Sequence, residues 1–218
     1  MFPGFGTLVN VLLVLIGGFV GLKGSRLINP KLKEGVVHGI ALFTLLLGIK
    51  LMIENKPETL KVFFILLLGT ALGYLLDLEG RIESLSGSGK DFTNAFVTSS
   101  VLFTVGPMTL LGCILEGTKG DSSLILSKAT MDGFSSVILA SSLGRGVLFS
   151  SLFVLLFQGS ITLLAYFFGE FIEPQAMANS LFIGGGIMVI IALKLWGLLK
   201  EVKSVNFLIP LIVSLFVP

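Results

Sequence analysis

The sequence has few of the side chains on which most catalytic and cofactor sites depend. Its 218 residues include a single cysteine, Cys113, and a single histidine, His38. One cysteine excludes an internal disulfide, and so few soft ligands argue against a zinc or haem site. The chain also contains no His-Glu-x-x-His motif and no Ser/His couple of the kind that hydrolases use. We therefore expect no enzymatic activity and no cofactor.

Charge is scarce as well. Charged residues make up 13% of the chain, and 15 Lys plus Arg against 13 Asp plus Glu leave a formal net charge of +2. There is no excess of positive charge to hold a polyanion, which excludes nucleic acid as a partner. Hydrophobic residues, in contrast, reach 54%, and the mean hydropathy is +1.00. Both values lie far from those of soluble globular domains, so we expect the chain to lie in a lipid bilayer.

The apolar residues are grouped into segments of the length that a membrane helix needs. A bilayer core of roughly 30 Å takes about 20 residues of helix to cross. We predict an all-α integral membrane protein with about eight transmembrane helices in one transmembrane domain over 1–218. The third and eighth segments are short and the fifth is polar, so whether these three fully span stays open. The loop at 77–92 is the longest and is predicted to be a flexible connector. The eight segments lie at 5–22, 36–53, 62–76, 93–115, 125–143, 147–169, 179–199 and 205–217.

The distribution of basic residues predicts an orientation. Lys and Arg accumulate in short cytoplasmic loops. With eight spans and the amino terminus outside, ten basic residues lie inside and five outside. The inside set is Lys23, Arg26, Lys31, Lys33, Arg81, Lys90, Arg145, Lys194, Lys200 and Lys203, and the outside set is Lys50, Lys56, Lys61, Lys119 and Lys128.

A weak internal repeat relates the two halves, 1–116 and 122–218. A slide of 144 residues places Pro30 on Pro174, and a slide of 38 places Asn94 on Asp132. Segments one to three then match six to eight, and segment four matches five. Matched segments are separated by an odd number of crossings, which predicts an inverted-topology repeat of the kind that secondary transporters use. An apolar alphabet also produces such matches by chance.

Polar residues interrupt several of the apolar segments. Asp132 is the costly one, because an ionised carboxylate near the bilayer centre costs about 2.5 to 3.5 kcal/mol. We expect it to face protein or a water-filled cavity as part of a binding site; the alternative is a helix cap at the membrane edge. The candidate substrate- or ion-binding residues are Asp132, Ser135 and Ser136 on segment five, Asn94 and Thr98 on segment four, Asn10 on segment one and Gln158 on segment six.

These features favour a secondary transporter of a small solute or ion, with alternating access around a polar site on segments four and five. In this hypothesis Asp132 binds a coupling proton, a sodium ion or a cationic substrate, and the neutral residues supply oxygens. An ion channel and a non-catalytic membrane scaffold are the alternatives. The sequence identifies neither the substrate nor a metal, and it leaves open whether the chain forms a homo-oligomer.

Four stretches together resemble a known family. They are Gly6-Thr-Leu-Val-Asn10, the run from Gly73 to Glu83, Lys128-Ala-Thr-Met-Asp-Gly-Phe-Ser-Ser136 and Phe157-Gln-Gly-Ser-Ile-Thr162. In these the chain is similar to domain-of-unknown-function family 554 over nearly its whole length. The resemblance implies a small multi-pass protein of the bacterial inner membrane, and it implies no activity.

Overall fold

The chain folds into helices. The computed structural model describes residues 2–25, 29–86, 89–105, 107–169, 172–199 and 201–217, and no strand occurs in those ranges. This confirms the predicted all-α fold. The helices are α1 (Phe5–Gly24), α2 (Pro30–Glu54), α3 (Thr59–Leu75), α4 (Leu78–Ser86), α5 (Gly89–Thr104), α6 (Pro107–Lys119), α7 (Ser123–Leu143), α8 (Gly146–Phe168), α9 (Pro174–Leu195), a 3-10 helix (Ser204–Phe207) and α10 (Leu208–Ser214).

Four of these helices are long and apolar enough to cross a bilayer, namely α1, α2, α8 and α9. The bent pair formed by α5 and α6 brings the number to five if it counts as one span. α7 is 21 residues long but too polar to meet the same test, while α3 and the helical stretch Ser204–Ser214 are too short. A membrane protein is therefore confirmed, and the figure of eight spans stays a prediction.

Segment four, predicted as one helix over 93–115, is broken. Its two parts, α5 and α6, meet at an angle of 58°. Pro107 causes the break, because proline has no N–H to donate to the carbonyl four residues earlier, that of Phe103. The hydroxyl of Thr109 donates to this carbonyl instead, at 3.2 Å. Gly106, which precedes this proline in the sequence, lies outside the described residues.

The connector predicted at 77–92 is mostly helical, which corrects that expectation. α4 occupies Leu78–Ser86, and α5 already begins at Gly89. Tertiary contacts explain the ordering of α4. The carboxylate of Glu79 accepts the backbone N–H of Val205 at 3.2 Å, and the side-chain oxygen of Asn206 accepts the backbone N–H of Glu79 at 3.4 Å. The sequence pattern of residues 77–92 gives no indication of these partners, which lie far away in the chain.

The helices form two compact units, and each unit combines early and late parts of the chain. The first unit comprises Met1–Val37 and Ala95–Phe171; the second comprises His38–Asn94 and Ile172–Pro218. In the first unit α1 packs on α7 and α8, and α6 packs on the same two helices. In the second unit α3 packs on the 3-10 helix and α10, and α10 packs on α9. The two units therefore do not coincide with the predicted halves 1–116 and 122–218.

Helix α1 has mainly small and polar side chains on its buried face and large apolar ones on its outer face. On α1 the exposed residues include Leu12, Ile16 and Phe19, each more than half exposed. This pattern is the reverse of a water-soluble helix, and it fits a helix whose outer face contacts lipid chains. The buried residues of α1 are Gly6, Thr7, Asn10, Val14, Gly17, Gly18 and Gly21.

Two glycines bring the backbones of α1 and α7 together. A Cβ atom on Gly17 would lie 2.2 Å from the carbonyl oxygen of Gly133, and one on Gly21 would lie 2.2 Å from that of Val137. Neither carbonyl belongs to a flexible side chain, so any larger residue forces the helices apart. Close approach through small residues is a common way for membrane helices to associate.

We expect Gly17→Ala to destabilise the protein by about 1 to 3 kcal/mol through overpacking, which lowers the apparent melting temperature by roughly 2 to 12 °C. A thiol-reactive dye measures this directly, because Cys113 is buried and is the sole cysteine. Gly159→Ala is the matched control, since no atom lies within 4 Å of its added Cβ. Equal melting temperatures for the two variants would contradict the packing described for α1 and α7.

Candidate functional site

Asp132 lies in the middle of α7 and is buried. Its Oδ1 is 2.5 Å from Nζ of Lys128, one turn earlier on the same helix, and its Oδ2 accepts a hydrogen bond of 3.1 Å from Nδ2 of Asn10 on α1. The position in mid-helix rules out the cap at a membrane edge that the sequence left open. The carboxylate is instead held inside the first unit by a cation and an amide, which lowers the cost of burying it.

Lys128 is the cationic partner that sequence analysis misplaced. It was counted in the outside set of basic residues, but it lies within α7 with its side chain buried. Its Nζ also lies 5.9 Å from the centre of the Phe103 ring, a cation–π distance. The available signal was its spacing of four residues from Asp132, which places both side chains on one helix face.

Asn10 connects α7 to α8. Besides its bond to Asp132, Nδ2 of Asn10 donates to Oε1 of Gln158 on α8 at 3.3 Å. Both amide side chains are fully buried. We name the four residues Asn10, Lys128, Asp132 and Gln158 the polar cluster. It joins α1, α7 and α8 through side-chain bonds alone.

Two atoms of the polar cluster make no hydrogen bond with any described residue. They are Oδ1 of Asn10 and Nε2 of Gln158. Buried polar groups in folded proteins are nearly always paired, and an unpaired one costs about 1 to 3 kcal/mol. The cluster therefore presents an acceptor and a donor that the protein itself leaves unused.

The other four predicted site residues lie on α5 and α7. Thr98 is buried on α5 and Ser136 is buried on α7, where its hydroxyl donates to the carbonyl of Gly133 at 2.8 Å. Ser135 is exposed, on the outer face of the same helix. Asn94 is half-buried and belongs to the second unit. Of the seven predicted residues, side-chain bonds bring Asp132, Asn10 and Gln158 together.

Glu116 is a buried carboxylate that the sequence analysis did not single out. Its Oε1 accepts the backbone N–H of Gly6 at 2.6 Å and the hydroxyl of Ser122 at 2.7 Å. Gly6 lies in the first turn of α1, where N–H groups lack partners within the helix and the helix dipole favours an anion. Glu116 thus holds the start of α1 against the connection between α6 and α7. Glu116 stands at the end of an apolar run, where charged loop residues are also found. The sequence alone therefore gave no indication that its side chain is buried.

The connection between α6 and α7 is ordered by a second carboxylate. Oδ1 of the exposed Asp121 accepts the backbone N–H of Ser123 at 2.9 Å, at the start of α7. This hydrogen bond holds the pKa of Asp121 below its ordinary value. Asp121 consequently keeps its negative charge beside the N-terminus of α7, where the helix dipole favours it.

Within the described part of the chain, no group of three or more His, Cys, Asp and Glu side chains is arranged to hold a metal ion. The absence of a cofactor stays a prediction.

Comparisons with known proteins place the chain in a family. The sequence model of DUF554, described as a protein of unknown function, matches residues 5–217. The chain belongs to this family. It is 27% identical to an uncharacterized membrane protein, YdfK, of Bacillus subtilis (strain 168), covering 96% of the chain and 93% of that protein. It is 25% identical to the uncharacterized protein YqgA of Escherichia coli (strain K12), covering 96% and 94%. No solved structure matches. The DUF554 match confirms the resemblance found in the sequence.

The ion pair of this DUF554 protein gives a prediction. Lys128→Met and Asp132→Asn should each cost about 3 to 5 kcal/mol, because each leaves a buried charge without its partner. The apparent melting temperature should fall by roughly 6 to 20 °C. The double variant removes both charges of the pair, so neither is left without its partner, and the amide oxygen introduced at position 132 still accepts from Asn10. It should therefore recover most of the loss. A double variant as unstable as the worse single one would contradict this description of the pair.

Glu116 gives a second prediction. Glu116→Ala removes the acceptor for Gly6 and Ser122 and should cost about 2 kcal/mol, or roughly 4 to 8 °C in melting temperature. Glu116→Gln keeps a side-chain oxygen for the same donors and should lose clearly less. The same loss in both variants would show that the carboxylate does not act by accepting these two bonds.

Proposed function

We propose that the chain is a secondary transporter of a small solute or ion that works by alternating access around the polar cluster. The site differs from the one expected from sequence. It is centred on α1, α7 and α8, with Asp132 as its shared member, whereas segments four and five were predicted to carry it.

The observation that carries the proposal is the pair of unused polar atoms in the buried cluster. A network that only joins helices is expected to pair all its donors and acceptors, because each unpaired one costs stability. Oδ1 of Asn10 and Nε2 of Gln158 break this rule at the point where three helices meet. Polar residues kept inside a membrane domain at such a cost commonly mark the path of a substrate or ion.

The composition of the two units supports the inverted repeat on which alternating access relies. The predicted pairing joins segments one and six, two and seven, three and eight, and four and five. Apart from a few residues at segment ends, the first unit holds one, four, five and six, and the second holds two, three, seven and eight. Each unit therefore contains both members of every pair it includes. Two similar halves that meet at a central site can expose that site to either side in turn.

The position of Lys128 strengthens the proposed orientation. With this residue inside α7, the outside set falls from five basic residues to four, Lys50, Lys56, Lys61 and Lys119, against ten inside. An amino terminus outside a bacterial inner membrane follows from that bias.

The proposal is tested with purified protein in liposomes under a proton or sodium gradient. Amino acids, amides, organic cations, organic anions and inorganic ions are added in turn, and dyes inside the vesicles report the movement of the coupling ion. We expect one class of solute to drive ion movement in the wild type. The Lys128→Met, Asp132→Asn double variant should fold yet lose at least about 90% of the flux, because the charges that organise the site are gone.

Three results would contradict the proposal. Full flux in the double variant would show that transport does not depend on the polar cluster. Single-channel currents with many ions per opening would assign a channel. Co-purification of a stoichiometric partner, with no flux for any solute class, would assign a membrane scaffold.

A further inference from the structure

The orientation of the two amides in the polar cluster is fixed by chemistry. A carboxylate accepts hydrogen bonds and donates none, so the Asn10 group that faces Asp132 must be its NH2. The second hydrogen of this NH2 goes to Gln158, which must therefore present its oxygen. The atoms left without a partner are then the carbonyl oxygen of Asn10 and the NH2 of Gln158. Asp132 thus decides, through a chain of two bonds, which atoms a ligand meets.

The charge of the cluster is balanced before any ligand arrives. Lys128 and Asp132 form an ion pair, and both amides are neutral. A bare cation would meet one free acceptor, on Asn10, but also the hydrogens of Gln158 and the nearby ammonium group of Lys128. An anion would meet the free donor of Gln158 beside the carboxylate of Asp132. Neither ion is complementary to the pair of unused atoms.

From this pattern we infer that the polar cluster binds a small net-neutral solute that carries both a donor and an acceptor, as amino acid zwitterions and primary amides do. The ligand donates to Oδ1 of Asn10 and accepts from Nε2 of Gln158. The inference rests on the proposed function, whose substrate class it names. It also revises the expectation that Asp132 itself takes a proton, sodium ion or cationic substrate, because Lys128 already occupies that carboxylate.

Binding can be measured separately from transport. Purified protein is melted with a thiol-reactive dye that reports exposure of Cys113, the sole cysteine and a buried residue of the first unit. The probes are the net-neutral amino acids and malonamide, against sodium and ethanolamine as cations and glycolate as anion, with sucrose of equal osmolarity as the reference. We expect at least one net-neutral probe, and neither a cation nor the anion, to raise the melting temperature.

Substitutions at Gln158 test which atoms bind. Gln158→Leu removes the free donor together with the oxygen that accepts from Asn10, and should weaken the apparent affinity for the net-neutral probe about tenfold. Gln158→Glu is the sharper variant, since it keeps an oxygen for Asn10, replaces the donor with an acceptor and adds a negative charge. It should lose the net-neutral probe and gain stabilisation by ethanolamine. Gln175→Glu makes the same change on α9, which belongs to the second unit, and should retain the wild-type ranking.

The outcomes separate this inference from the transport proposal. Stabilisation by net-neutral probes that depends on Gln158 supports the inference whether or not the protein moves them. Stabilisation by cations or the anion alone, or by no probe, overturns it. The transport proposal is tested by the liposome flux alone. If only cations stabilise the protein and only cations are transported, the transport proposal is supported and the inferred substrate class is refuted.

Discussion

The structure of the first unit depends on the side chain of Asn10. Among the described residues, its NH2 group links the ion pair on α7 to the amide on α8, and all these groups are buried. Because hydrocarbon supplies no alternative partners, a polar group buried in a membrane domain has to bond to the protein or to a bound molecule. Asn10 therefore sets the rotation of three helices about their axes. The same two bonds determine which polar atoms remain unused.

Glycine makes this arrangement geometrically feasible. The side chain of an asparagine is short, so α1 must lie close to α7 for Asn10 to reach Asp132. Further along, Gly17 and Gly21 place α1 directly against backbone carbonyls of α7, at distances that exclude a methyl group. At its other end, α1 is held by Glu116 through the backbone N–H of Gly6. Helix α1 is thus fixed at its first turn by the carboxylate of Glu116, then by the side-chain bonds of Asn10, and further along by backbone contact with α7.

Sequence reasoning predicted the broad features because they rest on composition and length. The apolar runs identified a membrane protein, and the cost of a carboxylate in an apolar segment identified Asp132 as a buried group. Asn10 and Gln158 were found because they are polar residues within apolar segments.

The predictions that failed depended on contacts between distant segments. Lys128 was counted among the outside charges although it lies within the predicted segment 125–143, and its pairing with Asp132 was not recognised. Glu116 was missed because its partners, Gly6 and Ser122, are a backbone N–H and a hydroxyl, which leave no pattern in the sequence. Ser135 was included with Ser136 because residues three and four positions after Asp132 were both placed on one face of the helix. In the structure α7 buries Ser136 and exposes Ser135.

The central claim is that Asn10 and Gln158 turn an acceptor and a donor towards a ligand and do not merely join two helices. An experimental structure of the protein purified from its native membrane tests this claim most directly. We predict non-protein density within hydrogen-bonding distance of both Oδ1 of Asn10 and Nε2 of Gln158. A well-ordered structure in which these two atoms bond to each other, or to other protein side chains, would contradict the account.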